Sequence, residues 1–259
     1  MSGAERDVRA RLLVRWGVGA SVAGVAIALG TLVLSELADH PTALRWSVGA
    51  VVVGGFEFGF LYWHLGANRP EGGPTFETIG VANALTLVRG GLLAVVAGCV
   101  LISPDQFAPL AWLPAVCYGS SAALDWLDGT VARATGRVTV LGTRMDMAFD
   151  TVGFLLAPVV GVLWGQLPVW YLSLSAARYL FKTGTWFRRC RGLAVADLPE
   201  SRLRRPLAGL QMAFITVALA PVVPVGPARI AAAVVLLPSL AVFLRDYLWV
   251  SGRWYNSHT

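Results

Sequence analysis

Asp125, Asp128, Asp146 and Asp150 crowd into 26 residues of a chain that is only 14% charged. The first two are three residues apart and the last two are four apart. On helices, either spacing brings two side chains to one face. Two such helices meeting would aim four carboxylates at one spot. Like charges that close repel, so the cluster needs a cation unless it takes up protons. Hard oxygen ligands of this kind suit Mg²⁺, Mn²⁺ or Ca²⁺.

The elements that must position these residues are membrane helices. With 56% hydrophobic residues in 259, the chain carries more apolar surface than a soluble domain of that length can hide. The expected fold is all-α: a polytopic membrane helix bundle of about eight spans. The first is the charge-free run from Trp16 to Ser35, too long for a signal peptide's apolar core and followed by no clear cleavage site. The second runs from Trp46 to about Gly66 and carries Glu57, His64 and the pair Gly55 and Gly59, a spacing that allows close helix contact. Glu57, near mid-membrane, is a functional candidate by its position alone.

A polar, Pro/Gly-rich linker at 67–78 divides this pair of helices from the rest. The third span follows it, and the fourth runs from about Pro109 to Asp125 and Asp128 at its end. A loop is expected from Gly129 to Arg144, and the fifth span from near Met145 to about Gln166. Pro168 opens the sixth, with Arg178 and Lys182 one turn apart. The seventh covers about Leu207 to Val223. Pro224, Gly226 and Pro227 turn the chain into the eighth, from about Ile230 to Trp249, where Pro238 predicts a kink. A short tail holds Arg253 and His258.

Eight spans put both termini on one side. The amino end, the 67–78 linker, the aspartate loop, the basic 188–205 segment and the tail then share one face. The other face keeps Arg45 and Arg229. That bias places both termini and the aspartates on the cytoplasmic side of the cell membrane. A net charge of +6 in such a chain reflects this topology and does not imply nucleic acid. Cys99, Cys117 and Cys190 are odd in number and lack metal-site spacing.

Between the aspartate pairs stand Gly129, Ala132, Arg133 and Gly142, completing D-x2-D-G-x2-A-R-x8-G-x3-D-x3-D. In this pattern the chain resembles the CDP-alcohol phosphatidyltransferase family. Upstream, Asn83, Leu85, Thr86 and Arg89 fit the family's amino-terminal element, with Ala82 at a position that is often Pro. Arg89, two turns into a span, must meet an anion or reach for the interface. The anion would be a substrate diphosphate or the aspartate cluster itself. The resemblance covers roughly residues 79–250, a six-helix core. It leaves residues 1–66 as two added transmembrane helices, 67–78 as a cytoplasmic linker and 79–259 as the core.

The resemblance implies an enzyme of phospholipid biosynthesis. A phosphatidyl or archaetidyl group would pass from a CDP-linked lipid to the hydroxyl of a small alcohol, releasing CMP. Asp125, Asp128, Asp146 and Asp150 would hold two divalent ions, Mg²⁺ or Mn²⁺, and Asp150 would be the general base. Gly129, Ala132, Arg133 and Gly142, with Asn83, Thr86 and Arg89, would bind CDP. Arg178 and Lys182 are candidates for the phosphate of a phosphorylated acceptor, or equally for anchoring at the interface. Membrane lipids and a second copy of the chain are compatible partners. Two rivals stand beside this reading. One is a related transferase moving choline or ethanolamine phosphate onto a lipid alcohol. The other is a cation transporter, disfavoured because the aspartates sit at span ends and no inverted repeat is visible.

Overall fold

Helices account for every regular element among the described residues of the computed structural model, which are 3–106, 108–198 and 201–252. The tail residues Arg253 and His258 lie outside them. Eight α-helices follow in order: α1 Gly3–Leu37, α2 His40–His64, α3 Val81–Cys99, α4 Leu113–Ala134, α5 Val140–Leu163, α6 Ser173–Cys190, α7 Arg204–Ala218 and α8 Val225–Val250. Five of them, α1, α2, α3, α5 and α8, are long and apolar enough to cross a membrane. This is the multi-pass helix bundle that the composition demands. By packing, the chain divides into two compact units, 1–160 and 161–259.

In the first unit, α1 and α2 are separated by a tight turn. Asp39 ends it by capping α2: its carboxylate accepts from the Thr42 backbone N–H and from the Thr42 hydroxyl, both at 2.8 Å. Those bonds, the backbone one foremost, hold the Asp39 carboxyl below its ordinary range. Trp16 of α1 donates its indole N–H to the carbonyl of Phe58 in α2 at 2.8 Å.

The α2–α3 contact is close because small residues line it. A side chain on Gly49 would lie 2.9 Å from the Gly98 Cα, so the two backbones nearly touch. Trp46 fills the space beside Gly98 and donates to the Val95 carbonyl at 3.2 Å. The pair singled out from sequence does not serve this purpose. Gly55 has open space beside it, and the nearest group to Gly59 is Trp63 of its own helix. Period and residue type permitted contact there, but those glycines face away from the neighbouring helices.

The 67–78 segment is a folded loop. Asn68, fully buried, donates from its side chain to the carbonyls of Phe76 (3.1 Å) and Thr78 (2.9 Å). The Arg137 guanidinium lies 4.4 Å above the Phe76 ring and donates to Thr78, closing the loop against the start of α5. Two expected boundaries also move. The loop foreseen from Gly129 to Arg144 is helical at both ends: α4 continues to Ala134 and α5 begins at Val140. Thr139 starts α5 early, its hydroxyl oxygen accepting from the Gly142 backbone N–H at 2.9 Å.

In the second unit, α7 and α8 are joined by a buried polar chain. The Tyr171 hydroxyl donates to the Gln211 side-chain oxygen. Gln211 in turn donates to the Val235 carbonyl (2.8 Å) and the Ser239 hydroxyl (2.9 Å). Asp246 of α8, almost fully buried, is held by Arg204 at 2.7 Å and Arg245 at 2.8 Å. Helix α8 begins five residues earlier than expected, since Pro227 fits a first helical turn, where its missing N–H costs nothing.

Candidate active site

The site is organised by one face of α3. Asn83, Thr86 and Arg89 follow at intervals of three, and all three are buried. Each reaches a different partner. The Asn83 amide donates to Thr139 at the head of α5 (3.1 Å) and to Asn68 in the loop (3.3 Å). Thr86 donates its hydroxyl to Asp128 of α4 at 2.7 Å. Arg89, 2% exposed, sends Nη1 to Asp125 Oδ1 (2.7 Å) and Asp146 Oδ1 (2.8 Å), and Nη2 to Asp150 Oδ1. A single stripe of α3 thus stitches α4 to α5 through their carboxylates.

Asp125, Asp146 and Asp150 each present a ligand oxygen, and these oxygens all lie within 4.8 Å of one another. The sequence brought four aspartates to one spot, whereas the structure gathers three and turns the fourth, Asp128, to Thr86. The cause lies in the helix geometry. Asp128 sits one turn beyond Asp125 and is met by Thr86, one turn before Arg89 on α3. Arg89 meets the aspartate cluster, one of the two anions weighed for it.

Burial is graded across the cluster. Asp128 is 7% exposed, whereas the side chains of Asp125, Asp150 and Asp146 are 28%, 23% and 48% exposed. The guanidinium therefore closes the inner side of the cluster, and the outer side is open. One Arg charge balances at most one of the three carboxylates it touches, so the cluster needs a further cation or bound protons. A divalent cation fits that donor set: three hard oxygens at close spacing on the open side of the cluster.

The remaining candidates are placed as follows. Gly129, Ala132 and Arg133 lie on the last turns of α4. Arg133 is exposed, and a Cβ on Gly129 would meet only its flexible tip, at 3.2 Å. The space beside Gly142 is filled by Asn83, whose side-chain oxygen leaves no room for a Cβ. Arg178 and Lys182 lie one turn apart on α6, in the second unit.

Sequence reasoning missed Asn68, Thr139 and Arg137, which hold the loop and the start of α5 in place. Thr139 carried a legible signal, a capping residue just before an apolar run. Asn68 carried none, because its partners lie 8 to 15 residues away in a segment with no periodicity. It also missed the neighbours of Glu57. That residue is buried against Gly90 and Phe149, each adjacent in sequence to a member of the cluster.

Relatives of known name share part of this chain. Proteins named "Putative cardiolipin synthase" from Mycobacterium tuberculosis and Mycobacterium bovis are 29% identical to it over 119 residues, 44% of this chain and 54% of theirs. The match thus spans about half the length of those relatives. No solved structure matches the chain. The family model for CDP-alcohol phosphatidyltransferase matches residues 79–244, which include the α3 stripe and all four aspartates, and the chain belongs to the CDP-alcohol phosphatidyltransferase family.

Proposed function

We propose that this protein is an integral membrane transferase. It moves a phosphatidyl or archaetidyl group from a CDP-linked lipid to the hydroxyl of a small alcohol, with release of CMP. The observation that carries the reading is the gathering of Asp125, Asp146 and Asp150 from two helices, at ligand spacing, within a matched family region. Asp125, Asp128, Asp146 and Asp150 would hold Mg²⁺ or Mn²⁺, two ions when fully loaded. Bound there, the cations would neutralise phosphate oxygens and make phosphorus more electrophilic.

The chain's own residues supply the rest. Asp150 takes the proton from the acceptor hydroxyl. The hydroxyl oxygen bonds to the phosphorus that carries the lipid, and the bond from that phosphorus to CMP breaks. Arg133, exposed on α4, suits a phosphate of the CDP moiety through its planar fork. Thr86 and Asn83 hold Asp128 and the start of α5 in register, Gly129 and Ala132 keep the nucleotide side free of bulk, and Gly142 makes room for Asn83. Arg178 and Lys182 are assigned to an acceptor phosphate. Both termini and the aspartates are assigned to the cytoplasmic face, and residues 79–259 to the catalytic core with 1–66 as an addition.

The name of the mycobacterial relatives favours a second reading of the acceptor, a hydroxyl carried on a phospholipid, since cardiolipin joins two phosphatidyl groups through one glycerol. One assay tests both. Radiolabelled CDP-lipid is offered with a panel of alcohols, including glycerol 3-phosphate, inositol phosphate, serine and phosphatidylglycerol, and CMP release is followed. Release with one acceptor, abolished by chelator, is expected. Absence of CMP release with every acceptor in Mg²⁺ or Mn²⁺ would refute the reading.

A further inference from the structure

Glu57 stands outside the matched family region, on α2, yet its carboxyl lies beside Gly90 and Phe149, the chain neighbours of Arg89 and Asp150. Its side chain is 2% exposed, and its Oε1 is buried with no hydrogen-bond donor. A buried acceptor left without a donor is costly, and such an atom in a folded chain calls for an explanation. The carboxyl lies against the backbone of Gly90. A Cβ built there would sit 2.7 Å from Glu57 Oε2 and 2.8 Å from the Phe149 ring. Gly90 follows Arg89 on α3, and Phe149 precedes Asp150 on α5. The absence of a side chain at position 90 therefore makes the space in which the carboxyl lies, next to the root of the Arg89 side chain.

Arg89 holds one oxygen of each of three aspartates. A divalent cation at those aspartates would draw on the same three carboxylates and repel the guanidinium. Arg89 is buried, so it cannot turn to water instead. An acceptor beside its own backbone is needed, and the Oε1 of Glu57 is a buried oxygen with capacity to spare. Helix α2 then has a part in the site: it delivers that acceptor.

We propose that Glu57 is a positioning residue for the aspartate site. It accepts the Arg89 guanidinium when Asp125, Asp146 and Asp150 are shared with a divalent cation, so that the cation and Arg89 do not compete for the same charge. This rests on the cation-site reading above, and the test separates the two.

Mn²⁺ binding to the purified full chain in detergent is measured by the loss of the free-ion paramagnetic resonance signal. Four chains are compared: wild type, Glu57→Gln, Arg89→Gln and the double variant. Glu57→Gln should weaken Mn²⁺ binding about tenfold, within the usual range of coupling between two sites. In the Arg89→Gln background the same change should alter affinity by less than about twofold, because no guanidinium is left to accommodate. Unchanged affinity in Glu57→Gln overturns the inference while leaving the cation site standing. Equal weakening in both backgrounds also overturns it, since a packing role would not depend on Arg89. If wild type binds no Mn²⁺, the underlying cation-site reading fails, and this inference with it. Should Arg89→Gln not fold, Glu57→Asp replaces it. Affinity recovered toward wild type by the shorter carboxylate supports the role, and affinity as weak as that of Gln refutes it.

Discussion

Replacing Arg89 with Leu tests the central electrostatic claim, that this one guanidinium holds three aspartates together. Their ligand oxygens lie within 4.8 Å of one another. At an effective dielectric of about 20, each pair of charges at that distance repels by about 3.5 kcal/mol, so three pairs approach 10 kcal/mol. Solvent reduces this substantially, because Asp146 is half exposed and the other two about a quarter exposed. What survives should resemble the loss of one partner of a buried ion pair, about 3–5 kcal/mol. A divalent cation supplied to Arg89→Leu should restore much of that loss, because it meets the same oxygens with no guanidinium in the way. Thermal unfolding in detergent, with and without Mn²⁺, measures both effects. The variant should melt well below wild type without the cation and gain more from it than wild type does. A variant as stable as wild type would refute the reasoning, as would equal gains from Mn²⁺ in the two chains.

Further consequences follow from the same geometry. Asp150→Asn should abolish CMP release while CDP-lipid binding stays measurable; substantial turnover would remove Asp150 from the proton-transfer role. Thr86→Val deletes the hydroxyl that holds Asp128 at 2.7 Å and should weaken Mn²⁺ binding about 10- to 100-fold, as loss of a ligand's orienting partner does. Affinity equal to wild type would show that Asp128 needs no such support. Gly90→Ala forces a methyl group into Glu57 and Phe149 and should cost about 1–3 kcal/mol in detergent unfolding, and a neutral result would mean α2 shifts freely against α3. Expressing residues 79–259 alone, folded and assayed for CDP-lipid binding, tests whether that segment is a self-sufficient core.

Much of this protein was legible from residue types and spacing. The helical class followed from apolar runs long enough to span a bilayer. The aspartate cluster followed from helical spacing, and the Asn83, Thr86 and Arg89 stripe from its period of three. Periodicity is a local property, and a helix expresses it wherever the helix is placed. Partner choice is not local. Nothing in the sequence says that Thr86 takes Asp128 or that Arg89 takes the other three, because those pairings cross 36 to 61 residues and depend on how α3, α4 and α5 stack.

Helix ends were misplaced for a related reason. Gly129 and Gly142 fall within the loop expected from Gly129 to Arg144, yet Gly129 continues α4 and Gly142 lies in the first turn of α5 beneath Asn83. In each case packing outweighed the modest helical cost of glycine. Glu57 shows the division most clearly. Its sequence position marks it as an ionisable group inside a span. Only the tertiary structure sets it against Gly90, beside Arg89, because the absence of a side chain on one helix has meaning only once another helix lies against it.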